Sequence, residues 1–132
     1  MISLGDTYWA RNPNSNNPPH LYFVITDPKR NQGRVLLVNM TERKAGSDGS
    51  CILRIGDHPR VTKESVLQYA EAILPDGRRL EEVVNRGLFT PAERAAMPLV
   101  RRMLAAALRS PHLRKEYRAM VEAEITALGP AS

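Results

Sequence analysis

The chain has 132 residues, of which 42% are hydrophobic and 25% charged. That is enough for one domain burying about two thirds of its unfolded surface, and too short for two full-sized domains. Its longest apolar runs, such as Leu104 to Leu108, fall far short of the ~20 residues that a bilayer-spanning helix needs, which excludes an integral membrane role. Nineteen Lys and Arg against fourteen Asp and Glu leave a formal charge of +5, a modest excess that favours an anionic partner.

The opening MISLGDTYWARN has neither a basic cluster leading into an apolar stretch nor a small-residue cleavage site, so the expected location is cytoplasmic. Cys51 is the single cysteine and has no partner for an internal disulfide. One thiol and three scattered histidines do not have the spacing of a zinc site, and neither metal nor other cofactor is expected.

Taken in order, the first 75 residues hold β-branched and aromatic runs between turn-rich stretches, and the rest holds segments with apolar residues three and four apart. Strands are expected at Thr7 to Ala10, Leu21 to Thr26, Arg34 to Met40, Cys51 to Ile55 and Ser65 to Leu74. Between the first two, Arg11 to His20 carries three prolines and four asparagines, a composition that fits only a surface loop. Thr26 to Gly33 reads as a hairpin turn, and Thr41 to Ser50 as a second long polar loop. Short antiparallel strands with wide connections curl most economically into a small barrel, which hides their edges.

Beyond Pro75-Asp76-Gly77, the residues Leu80, Val83, Val84 and Leu88 mark a short amphipathic turn or helix ending near Gly87. Thr90-Pro91-Ala92-Glu93 has the form of a helix start, with a capping Thr, a Pro preset for the first position and a Glu that reaches back. Met97, Val100, Met103, Leu104, Ala107 and Leu108 then form one face, where Pro98 imposes a kink or a late start. Ser110-Pro111 repeats the start pattern before a second stripe of Leu113, Tyr117, Met120, Val121, Ile125 and Leu128, closed by Gly129-Pro130. The fold class expected is therefore mainly β with C-terminal helices, in a single domain over residues 1–132. A β core occupies 3–75, a short helix and a first long helix 76–109, and an additional helix 110–128.

Several stretches, in this order, resemble the MazF/PemK/Kid family of bacterial toxins. Leu4-Gly5-Asp6-Thr7-Tyr8-Trp9 is similar to the family's opening strand, and His20-Leu21-Tyr22-Phe23-Val24-Ile25 stands where the family has an apolar strand led by Arg-Pro. Val35 to Thr41 resembles the strand ending in Thr or Ser, Glu64-Ser65-Val66-Leu67 the acid-Ser-Val strand, and Gly87 to Glu93 the lead-in to the C-terminal helix. The resemblance implies a small SH3-like antiparallel barrel, followed here by two α-helices. It further implies a metal-independent endoribonuclease that cleaves single-stranded RNA by 2′-OH attack, acts as a homodimer and is neutralised by a cognate antitoxin protein. Where the family uses an Arg at the scissile phosphate this chain has His20, and an Arg and an Asp used by some members fall on Gln68 and Ala70. Thr41 is kept.

Cleavage by the substrate's own 2′-OH needs a base, an acid for the leaving oxygen, and donors for the charged phosphorane. His20 and His58, in Asp57-His58-Pro59-Arg60, are the candidates for proton transfer, with Thr41 as a phosphate donor. Arg11, Arg60 and Lys63, with Ser65 and Tyr69, are the candidate nucleic-acid contacts. Plainer readings stand beside these. His58 is then a loop residue fixed by a neighbouring group such as Asp57, His20 a solvated strand starter, Thr41 a turn cap and Tyr69 a core residue. Arg43-Lys44 and Arg78-Arg79, interleaved with acids, read as solvated surface, and Cys51 as a buried small hydrophobe. Two other functions remain open. The first is a catalytically inactive relative that binds nucleic acid or a protein, including in the manner of a gyrase poison. The second is an interaction module that docks through the last helix.

Overall fold

The computed structural model describes residues 1–10 and 19–130. Six strands are present: β1 (Thr7–Ala10), β2 (His20–Val24), β3 (Leu37–Glu42), β4 (Ile52–Leu53), β5 (Ser65–Leu67) and β6 (Phe89–Ala92). Three helices accompany them, α1 (Gly77–Asn85), α2 (Met97–Arg109) and α3 (Lys115–Leu128). The strands form one antiparallel sheet in the order β4-β5-β3-β2-β1-β6. Its edge strands β4 and β6 lie at opposite ends of that order, and among the described residues no pairing joins them to close the sheet plainly into a barrel. A mainly β body with C-terminal helices is what the residue pattern predicts.

Three local expectations need correction. Ser110-Pro111 does not start the last helix: Ser110 ends α2, its hydroxyl accepting from the His112 N–H at 3.1 Å in a turn, and α3 begins at Lys115. Thr90-Pro91-Ala92-Glu93 does not start a helix, because Phe89–Ala92 is the edge strand β6, with Pro91 opposite Tyr8. An edge position tolerates a residue without an N–H. The helix starts late, at Met97, where Pro98 sits in the first turn among amides that have no intrahelical partner in any case. The fifth strand is also shorter than expected, since the chain passes into a 3-10 turn at Tyr69–Glu71 directly after Leu67 and Gln68.

Alternation along the strands divides the sheet into two faces. One carries Leu21, Phe23, Val38, Met40, Leu53 and Leu67, which pack with Leu99, Val100, Met103 and Leu104 of α2 and Tyr117 and Val121 of α3 into the main core. Each fully buried large side chain there contributes about 1.5–3 kcal/mol. α3 is fastened by Glu124, fully buried, whose carboxylate accepts from the Asp27 backbone N–H at 2.7 Å and from Arg30 at 2.8 and 3.1 Å. The opposite face is only half covered. α1 lays Leu80 and Val84 over Tyr8, Val24 and Leu37, and leaves the part bearing the start of β2 and the end of β3 uncovered.

Asp76 caps α1 by accepting from the Arg78 N–H at 2.8 Å. Gly77 opens it, because a Cβ at this position would meet the Gly33 carbonyl oxygen at 2.9 Å. No helix among the described residues is long and apolar enough to cross a membrane.

Candidate functional site

The uncovered part of the second face is the floor of a cleft of about 930 Å³. Strand register determines which side chains share that floor. β2 pairs with β3 so that Tyr22 faces Asn39 and Leu21 faces Met40, and one further step sets His20 across from Thr41. β3 pairs with β5 so that Thr41 faces Val66, and the same step sets Asn39 across from Gln68, whose N–H donates to the Asn39 carbonyl at 2.9 Å. His20, Tyr22, Asn39, Thr41 and Gln68 all line the cleft. The strand pairing that builds the core on one face thus gathers the polar residues on the other.

His20 is half-buried, with Nδ1 at 3.2 Å from the Met40 carbonyl oxygen. A carbonyl only accepts, so in the neutral ring Nδ1 carries the proton and Nε2 keeps its lone pair. That acceptor belongs to the residue that the strand register sets across from Thr41, in the same cleft. The rim adds Lys44, Arg60 and Lys63 against Glu42 and Glu71. Lys63 pairs with Glu42 at 3.2 Å and Arg60 with Glu93 at 2.9 Å, all four side chains being about half exposed. Solvated pairs of this kind are worth about 0–1 kcal/mol, so a phosphate can replace the carboxylate at little cost.

His58 is not in this cleft. It is 3% exposed, its ring meets Phe23 edge-on at 5.6 Å, and both nitrogens are occupied. Nδ1 accepts from the Arg60 N–H at 3.0 Å, which leaves Nε2 to donate to the Glu93 carbonyl at 2.5 Å. With no free nitrogen and no place beside His20, it does not complete a two-histidine arrangement. Backbone groups fix its ring, while the adjacent Asp57 turns to Arg102 at 2.7 Å.

Tyr69 is also in the main core, fully buried, its hydroxyl donating to the Met103 carbonyl at 2.6 Å. Burial pushes this phenol far above its ordinary range. Ser65 touches the cleft but is buried, and its hydroxyl donates to the Lys63 carbonyl at 2.9 Å. Of the candidate residues, His20, Thr41, Arg60, Lys63 and Ser65 converge on the cleft, His58 and Tyr69 do not, and Arg11 lies outside the described residues.

Tyr22, one of the aromatics Tyr8, Trp9, Tyr22 and Phe23 whose alternation predicts that about half face away from the core, lines the cleft; Phe89, Asn39 and Glu71 also line it and carry no such sequence expectation. Asn39 was detectable. It is the one polar interruption of Val35-Leu36-Leu37-Val38-Asn39-Met40, two residues before Thr41 and hence on the same face of the strand. Phe89 was hidden by the assignment of the following residues to a helix start. No protein-family model matches the chain, and no curated protein matches it at a significant level.

Proposed function

We propose that the cleft binds single-stranded RNA and cleaves it without metal, in a domain of the MazF/PemK kind whose sheet is a partly open SH3-like barrel. The antiparallel order β4-β5-β3-β2-β1-β6, in which the late strand β6 pairs beside β1, supports the fold half of this reading. The observation that carries the chemistry is the Nδ1 bond of His20 to the Met40 carbonyl, which leaves Nε2 as the basic nitrogen of a ring lining the same cleft as Thr41. His20 takes the 2′-OH proton as the 2′-oxygen attacks phosphorus. The bond from phosphorus to the 5′-oxygen breaks, water protonates the leaving oxygen, and the products are a 2′,3′-cyclic phosphate and a 5′-hydroxyl. Thr41 donates to a non-bridging oxygen, and Arg60 and Lys63 exchange their carboxylates for phosphate. An antitoxin segment with acidic side chains would compete for the same two cations, and a second copy of the chain would extend the groove.

The test is cleavage of mixed-sequence RNA in the presence of a chelator. His20→Ala is expected to lower the rate about 10²–10⁴-fold, the range for loss of a general base. Equal rates in wild type and variant would remove the mechanism. A second reading, binding without cleavage, draws support from the carboxylate partners of Arg60 and Lys63, which leave the cations partly neutralised. Binding that weakens log-linearly with salt, with no cleavage by the wild type, would select it.

A further inference from the structure

Two residues along β2 from His20, and on the same face, stands Tyr22. Its ring stacks against Phe89 with centroids 5.9 Å apart and planes 25° from parallel, making an aromatic wall in the cleft. Opposite Tyr22 on β3 is Asn39, 3% exposed, whose Nδ2 donates to Gln68 Oε1 at 2.5 Å. That bond uses one amide's donor and the other's acceptor. Among the described residues no hydrogen bond occupies Asn39 Oδ1 or Gln68 Nε2, an acceptor and a donor on the two paired amides.

Glu71, exposed and three residues beyond Gln68, brings a carboxylate to the same wall. The Tyr22 phenol registers its presence, being pushed above its ordinary value by burial and then by the Glu71 charge. A flat π-face, a paired amide donor and acceptor, and a carboxylate that accepts from amino groups are the parts from which nucleobases are read.

We propose that Tyr22, Phe89, Asn39, Gln68 and Glu71 form a subsite for one unstacked adenine or cytosine, the bases with an amino group (at C6 or C4) where guanine and uracil carry a carbonyl. The base lies against the aromatic wall with its edge to the two amides and its amino group toward Glu71. Uracil, which offers a carbonyl where the amino group would be, places an acceptor against a carboxylate and is rejected. The i, i+2 spacing of Tyr22 and His20, about 7 Å along a strand, sets this base next to the phosphate that His20 addresses. The proposal rests on the RNA reading of the cleft and specifies what that reading leaves open, the choice of base.

The experiment measures fluorescence anisotropy of the intact chain with labelled 2′-O-methyl octamers of A, C and U, which cannot be cleaved through the 2′-oxygen. The A or the C octamer is expected to bind at least ~10-fold more tightly than the U octamer, the discrimination of one good base contact. Glu71→Gln and Gln68→Leu should each reduce that ratio to about 3-fold or less. Glu71 is exposed, so Glu71→Gln keeps the test available should Gln68→Leu not fold. Octamers that bind with no preference for an amino base, or with a preference that both variants retain, would overturn the subsite and leave the RNA reading standing. No binding of any octamer would overturn the RNA reading, and the subsite with it.

Discussion

The two faces of the sheet treat the same residue type in opposite ways. On the face covered by α2 and α3, His58 is buried, has both ring nitrogens bonded to backbone groups and works as a fastener between the 54–64 loop and the segment leading into α2. On the half-covered face, His20 has one nitrogen bonded to backbone and its ring beside a cleft. Both lie near prolines in polar surroundings, so the local sequence does not separate them. What separates them is the number of backbone partners the fold supplies. A histidine with two is a structural crosslink, and one with a single partner is an oriented acid or base.

The largest expected effect probes how firmly the closed face is closed. Glu124→Ala would leave the Asp27 N–H and the Arg30 guanidinium without their shared carboxylate and loosen α3 from the β2–β3 turn. A loss of about 3 kcal/mol is expected, read from the urea midpoint with the m-value unchanged. An effect under about 1 kcal/mol would show that α3 is held by its apolar stripe alone.

The histidines give a sharper contrast. His58→Ala should lower stability by about 2 kcal/mol, since it strands the Arg60 N–H and the Glu93 carbonyl. His20→Ala should cost under about 1 kcal/mol, because it removes one partly solvated bond. Paired thermal melts decide this, and similar losses in both variants would erase the distinction between the two faces.

A comparably small effect concerns pH. The Arg102 guanidinium holds the Asp57 carboxyl below its ordinary range against an opposing push from burial, with help from the Arg54 N–H. A carboxyl depressed on folding contributes stability in full above its unfolded value of about 3.9, and loses it as pH falls through the lower folded value. Asp48 adds to the same window. Burial raises it, but hydrogen bonds from Ser110 and Ser50 outweigh that and leave it depressed. Asp57→Asn should therefore cost about 1 kcal/mol near neutrality and flatten the fall in stability below about pH 4. An unchanged acid limb would assign that fall to other carboxylates.

Much of the body was legible in the residues. β1 falls on the expected span, α1 and the late start of α2 follow from an apolar spacing and a proline, and Gly129 ends α3 at a φ of +70°. The site was legible in part. His20 and Thr41 stand out as polar residues at strand ends, and two strands in register suffice to bring them together. His58 and Tyr69 were not separable from functional residues, because their partners are the carbonyls of Glu93 and Met103, 35 and 34 positions away. A backbone acceptor can come from any residue type and leaves no mark in composition. The strand at Phe89–Ala92 was missed for a related reason. Thr-Pro-Ala-Glu satisfies the local chemistry of a helix start, and only the unpaired side of β1 makes the extended form better.

That late partner has a consequence for how the protein is made. β1 is synthesised first, yet its second neighbour is β6, more than 75 positions further along. Until Phe89 to Ala92 leave the ribosome, Thr7 to Ala10 expose a row of unpaired backbone donors and acceptors on an apolar strand, the kind of template on which nascent chains stick to one another. A polypeptide released early, before Phe89, would keep that hazard permanently.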